Sequence, residues 1–306
     1  MRLAFVDEIT KLASRDKNVW LITADLGFSV FEEFKKKFPN QFLNVGVAEQ
    51  NAISIAAGLA MSGKKVFVYS ISTFITMRPF EQIRNDICYQ NLPVYLVGGG
   101  STFSYSTFGC THFSLEDLGL MKILPNMAVM APGDPIETRA LVRAAYNRKG
   151  PVYIRIAKRG EPIIHSKNDR VILGKSSKLL GGNDIAILVC GRQLPNAMFA
   201  AEILKEEGIK CRVLSFHTIK PLDSAAIIKA AKETKGLITV EEHLLSGGFG
   251  SSVAEIVTDK GLHTPLIRLG ISDEFPRGVG SQDYFLKKYK LTPEGIVKAA
   301  KKILKI

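Results

Sequence analysis

A chain of 306 residues, 46% hydrophobic and 23% charged, is long enough for two ordinary domains and too apolar for a disordered polymer. No apolar run reaches the roughly 18 residues that cross a bilayer. The opening "MRLAFVDEITKLASRDK" carries acids early and lacks the apolar stretch and cleavage site of a leader, so a cytoplasmic protein with no membrane contact is expected. The formal charge of +12 raises the question of nucleic acid, but the lysines lie in helical runs such as "FKKKF" and "FLKKYKL" with few aromatics between them. That is the pattern of a solvated face, and no nucleic-acid partner is expected. Cys88, Cys110, Cys190 and Cys211 lack metal-ligand spacing and read as reduced core or pocket thiols; no metal site is expected from them.

Apolar runs rich in β-branched residues at 19–24, 65–70, 93–99, 127–131 and 151–157 predict strands buried on both faces. Helical patterns lie between them, around 48–62, 77–90, 114–122 and 134–147. Asp134 is placed to cap the last of these, with Pro135 at its first position and Glu137 at its third. The polar, Gly- and Lys-rich stretch 159–183 reads as a connection. A second series follows, with strands at 185–190, 211–216, 236–242 and 265–270 and helices near 195–207, 222–233, 247–260 and 292–304. The alternation predicts an α/β protein of two doubly wound domains: a mostly parallel sheet over 1–165, a linker at 166–183 and a smaller α/β domain over 184–306.

Three stretches of the first domain carry unusual residues. Glu49 follows "NVGVA" and opens a helix of small residues. It is either a carboxylate favoured by the helix dipole, or a covered carboxyl with little polar company among Val45, Val47, Ala48, Ala52 and Ile53, able to donate to a ring nitrogen. In "YSISTFITMRPFEQIRND", Phe74, Met77 and Phe80 recur at helical spacing, as a core stripe or as a seat for a flat heteroaromatic ring. "FSYSTFGCTHFSLEDLG" follows a buried strand and presents Thr111 and His112 just before a helix near Ser114. That histidine is either structural or a proton-transfer group.

Taken in order, "GVAEQN", "STFITMRPFEQIRN" and "GCTHFSLED" followed by "LPNMAVMAPGDPIE" resemble the C-terminal half of transketolase and its thiamine diphosphate-dependent relatives. "FHTIKPLD" and "VEEHLLSGGFGSSVAE" are similar to the C-terminal domain of that family, so the resemblance covers nearly the whole chain. It implies a pyrimidine-binding domain followed by a transketolase C-terminal-type domain, and transfer of a two-carbon ketol unit between sugars or sugar phosphates. It further implies that Glu49 bonds the aminopyrimidine nitrogen of thiamine diphosphate and favours its activating imino tautomer. Phe74 and Phe80 would pack on the pyrimidine, with Met77 at a position often aromatic, and Asp25 and Leu26 would approach the cofactor. His112 would assist proton transfer at the substrate hydroxyl. The β subunit of a 2-oxo acid dehydrogenase and a deoxyxylulose phosphate synthase are the neighbouring enzymes, and a scaffold that keeps only the fold is the non-catalytic alternative.

The family holds the diphosphate through Mg²⁺ and a Gly-Asp-Gly segment, which this sequence lacks. A second subunit carrying that half is therefore expected, in a heterotetramer with two copies of each chain. The family's sugar-phosphate clamp is matched by Arg2 and Ser29, with Lys158 and the adjacent Arg159 in place of a second arginine. Gly100 stands where a histidine is usual, and Phe108 replaces an aspartate that contacts a donor hydroxyl, so an altered donor sugar is expected.

Overall fold

A run of apolar residues covered on both faces is stable only inside a layered sheet, and the five runs of the first half all become strands. A computed structural model describes residues 1–158, 160–166 and 168–306. The first half runs α1 (Arg2–Ala13), β1 (Val19–Thr23), α2 (Glu32–Lys37), β2 (Phe42–Asn44), α3 (Glu49–Met61), β3 (Lys65–Ile71), α4 (Ser72–Met77), α5 (Phe80–Gln82), β4 (Val94–Gly99), α6 (Asp117–Ile123), β5 (Ala128–Met130), α7 (Pro135–Asn147) and β6 (Val152–Ile156). The second runs β7 (Ser177–Leu180), β8 (Ile185–Val189), α8 (Leu194–Glu206), β9 (Cys211–Ser215), β10 (Thr218–Lys220), α9 (Ser224–Glu233), β11 (Leu237–Leu244), α10 (Phe249–Asp259), β12 (Leu266–Ile271), α11 (Gln282–Lys288) and α12 (Pro293–Leu304).

Two sheets result, in the order β10-β5-β6-β4-β3-β1-β2 and β12-β11-β8-β9-β7. Every pairing is parallel except β10 on β5 and β7 on β9, both antiparallel edges. The fold class is the expected one: two α/β layers with mostly parallel sheets. Asp134 caps α7 as its sequence predicts, Oδ1 accepting from the Glu137 amide at 2.8 Å.

The helix expected over 77–90 is broken. Pro79 has no N–H to continue the ladder, so α4 stops at Met77 and the chain resumes as α5 and a π-helix over Ile83–Cys88. The edge strand β7 lies inside the segment read as a connection, and β10, from the second half, completes the first sheet.

One apolar cluster joins the halves, with Val68, Leu96 and Leu118 packed together with Leu188, Phe216 and Phe249. Buried polar groups stitch the same seam. Asp117 accepts from the Tyr153 hydroxyl at 2.5 Å and from Arg155 at 3.0 Å, while Arg155 also donates to the Glu242 carbonyl. Asp134 and Glu137 face His165, whose Nδ1 and Nε2 stand 3.2 and 3.3 Å from them, and Ser215 donates to Glu137. Burial pushes the Glu137 carboxyl up to about 7.

Candidate active site at the strand ends of the first sheet

The chain leaves β1 toward β2, then crosses back to β3 on the other side of β1, so the carboxyl ends of β1 and β3 flank a crevice. Register brings these ends level, with Thr23 beside both Asn44 and Tyr69 and Ile71 beside Gly99. The candidate residues lie on the connections that leave this edge.

Glu49 is the first residue of α3 and is 2% exposed. It does have polar company, contrary to the expectation from its sequence neighbours. Ser70 Oγ donates to Oε1 at 2.9 Å and Arg78 Nη1 donates to Oε2 at 2.8 Å. Arg78 is invisible as a partner in the sequence because it lies 29 residues on, beyond β3 and α4.

Arg78 also stacks on Phe74, its guanidinium carbon 4.0 Å from the ring centre. Phe74 in turn meets the His112 ring edge-on at 5.1 Å, and Phe108 stacks on the same imidazole at 5.1 Å. Glu49, Phe74 and His112, far apart in sequence, are thus brought together through Arg78. Burial, and then the Arg78 cation, hold the His112 pKa below its usual value. Thr111 Oγ1 lies 2.9 Å from His112 Nδ1.

Met77 is exposed, its sulfur accepting from Thr73 Oγ1 at 3.4 Å, whereas Phe80 lies beyond the break at Pro79 and packs against the core. The expected stripe of Phe74, Met77 and Phe80 therefore does not form a single face.

Asp25 stands at the end of β1 with φ 55°. Its amide donates to Asn44 Oδ1 at 2.9 Å, and Asn44 Nδ2 donates back to its carboxylate at 3.0 Å, tying the β1 loop to the turn before Glu49. Asp25 and Leu26 line a cavity of about 130 Å³ with Phe28, Lys35 and Asn44. Ser29, also at positive φ, is exposed, and its amide donates to Glu32 at 2.6 Å.

Arg2, at the start of α1, lies beside the Tyr69 hydroxyl and close to Tyr105. Its Nε is buried without a hydrogen-bond partner among the described residues. The Lys158 ammonium stands 4.5 Å above the Tyr105 ring. Arg2 and Lys158 thus meet around Tyr105, a residue that the motifs of the sequence do not single out. The signal for it was Gly100, at φ 97°, where an added Cβ would stand 2.5 Å from Tyr105 Cε2. Tyr105 fills the space that a side chain at position 100 would need. Arg159, expected beside Lys158, lies outside the described residues.

Among the described residues, no group of three or more His, Cys, Asp or Glu side chains is placed to hold a metal ion. No helix among them is long and apolar enough to cross a membrane.

Residues 1–161 match the family model "Transketolase, pyrimidine binding domain" and residues 174–296 match "Transketolase, C-terminal domain". A protein of Methanocaldococcus jannaschii described as a putative transketolase C-terminal section is 40% identical over 97% of this chain and 94% of its own length. One of the subunits of an apulose-4-phosphate transketolase from Phocaeicola vulgatus is 38% identical, over 99% of this chain and 97% of its own. Among solved structures, a split-gene transketolase described as an inactive beta4 tetramer superposes with a TM-score of 0.89 at 36% identity, covering 99% of this chain and 97% of the other. With both family models in chain order and relatives of matching length, the chain belongs to the transketolase family.

Proposed function

We propose that this chain is the pyrimidine-binding subunit of a split, thiamine diphosphate-dependent transketolase that moves a two-carbon ketol unit between anionic sugars. The observation that carries the reading is Glu49, a buried carboxylate at a helix N-terminus, within one cluster of Phe74 and His112 at the strand ends. The residues suit a cofactor pyrimidine: the Arg78 guanidinium, itself flat, cationic and rich in N–H donors, already pairs with Glu49 and stacks on Phe74. When bound, the cofactor supplies the nucleophilic carbon that cleaves a ketose beside its carbonyl.

This chain's own residues do the rest. Glu49 holds the ring nitrogen and moves a proton there, a pairing strengthened by exclusion of water. Phe74 gives the ring a face, with Met77 and Phe80 flanking the break at Pro79, while Asp25 and Leu26 shape the neighbouring loop. His112, kept neutral near physiological pH by its lowered pKa, takes a proton from the substrate hydroxyl. Arg2 and Lys158, with Arg159 and Ser29, hold the anionic end of the sugar. Tyr105 and Phe108 present ring faces where hydroxyl-binding side chains are usual, which supports an altered donor.

The diphosphate and Mg²⁺ fall to a second subunit, in a cytoplasmic heterotetramer with two copies of each chain. Val47, Phe28, Phe108 and Val279 are exposed apolar residues on the loops around this edge, suited to that partner. The test is co-purification with a partner carrying a Gly-Asp-Gly segment, followed by an assay of donor cleavage. Glu49→Ala should abolish cleavage while leaving the circular dichroism spectrum intact. Tight binding of thiamine diphosphate and Mg²⁺ by the chain alone would refute the split arrangement.

A further inference from the structure

The Arg78 guanidinium makes two contacts although the side chain is 46% exposed. One is a charge-assisted hydrogen bond of 2.8 Å to Glu49, and the other is a cation–π contact of 4.0 Å to Phe74. A protonated, planar nitrogen ring would satisfy the same two groups in the same way, with an N–H on the carboxylate and a face on the aromatic.

The backbone around Arg78 suits a side chain that must leave. Arg78 is the C-cap of α4 and precedes Pro79, so the helical ladder ends there and the guanidinium hangs from a break between α4 and α5. Among the described residues, Glu49 is its one hydrogen-bond partner and Phe74 its one ring partner. Solvent lies on its open side. Glu49 has no such freedom: at 2% exposure its charge would be stranded if the cation left without a replacement. Departure of Arg78 and arrival of another donor are therefore linked.

We propose that Arg78 is a built-in placeholder for the cofactor's pyrimidine. In the unloaded chain its guanidinium fills the pocket and neutralises Glu49, and it swings into solvent when the ring enters. This rests on the proposed function, since it requires that the pocket take a pyrimidine. The placeholder keeps a buried carboxylate paired before cofactor arrives and closes the pocket to smaller cations. Its consequence is an apparent affinity lowered by the fraction of time the pocket is open.

The test uses the ring without the diphosphate, so that no partner subunit is needed. The full chain is titrated calorimetrically with 4-amino-5-hydroxymethyl-2-methylpyrimidine, as wild type, Arg78→Ala and Arg78→Lys. Arg78→Ala should bind at least about tenfold more tightly than wild type, with Arg78→Lys between them, because an ammonium keeps the charge and loses the flat stacking face. Methylguanidine should raise the melting temperature of Arg78→Ala and compete with the pyrimidine there, and do neither in wild type. Equal affinity in all three chains, or no competition by methylguanidine, would overturn the placeholder and leave the pocket's pyrimidine assignment standing. Absence of ring binding by every chain at millimolar concentration would overturn both.

Discussion

A single methyl group at position 100 tests whether Tyr105 fills the space beside Gly100. Gly100 has φ 97°, a conformation that costs an L-residue about 1–2 kcal/mol. Its added Cβ would stand 2.5 Å from Tyr105 Cε2, 2.9 Å from Cδ2 and 3.3 Å from Ser104 Cβ. Forcing a methyl into such a space costs about 1–3 kcal/mol more. Gly100→Ala should therefore destabilise the chain by about 2–5 kcal/mol. In a Tyr105→Ala background the overlap with the ring vanishes, and the backbone part, about 1–2 kcal/mol, should remain together with the milder contact to Ser104 Cβ. Urea unfolding followed through Trp20, the chain's one tryptophan, measures both. A loss of about 3 kcal/mol moves the midpoint by about 1 M at a slope of about 3 kcal/mol/M. If the two backgrounds agree within about 0.5 kcal/mol, Tyr105 does not occupy that space in solution. The same arithmetic governs engineering: Gly100→His alone should disrupt the loop around Tyr105, and a histidine at 100 needs Tyr105→Ala beside it.

His112→Ala, in the reconstituted enzyme, should lower kcat by about 10²-fold or more. The acidic limb of its kcat/KM profile should vanish; in wild type that limb lies below the ordinary histidine range because the imidazole's pKa is lowered by burial and by Arg78. Phe108→Asp should raise activity on ordinary pentose phosphates; no gain would remove Phe108 from donor selection. Glu137→Gln should flatten the dependence of melting temperature on pH. The folded Glu137 pKa, about 7, lies above its free value of 4.5, so the folded state binds the extra proton in that window. Wild-type stability should therefore fall as pH rises from 4.5 through 7, by about 1–3 kcal/mol. A slope unchanged in the variant would place the titration elsewhere.

The sheets were legible because their strands are buried on both faces, as in "VWLIT" and "VYIRI", and such runs admit few other structures. The cap at Asp134 was legible because its partners lie three residues away. Short edge elements were not: β2 and β10 are three residues each, too short for any periodicity to register, and β10 takes its place through a pairing with Met130 almost ninety residues earlier. For the site, residue types and order were enough to single out Glu49, Phe74 and His112. What the sequence concealed were contacts that depend on where a helix stops. Pro79 sends Phe80 toward the core and leaves Arg78 at the break, and Arg78 then supplies the polar partner that Glu49's sequence neighbours lack. Tyr105 was concealed similarly, because Gly100 reads as an empty position until the neighbouring ring is placed in it.

The strand β10 has a consequence for how the protein is made. It is the outer neighbour of β5, pairing Thr218 with Met130 and Lys220 with Val129. On the ribosome, β5 and β6 leave the exit tunnel well before the segment that shields them. Until Thr218–Lys220 emerges, the Ala128–Met130 rim offers unpaired amides and carbonyls to any other nascent chain. A polypeptide ending near residue 165 would carry that open rim permanently, and should form larger assemblies in proportion to its concentration even with every residue of the crevice present.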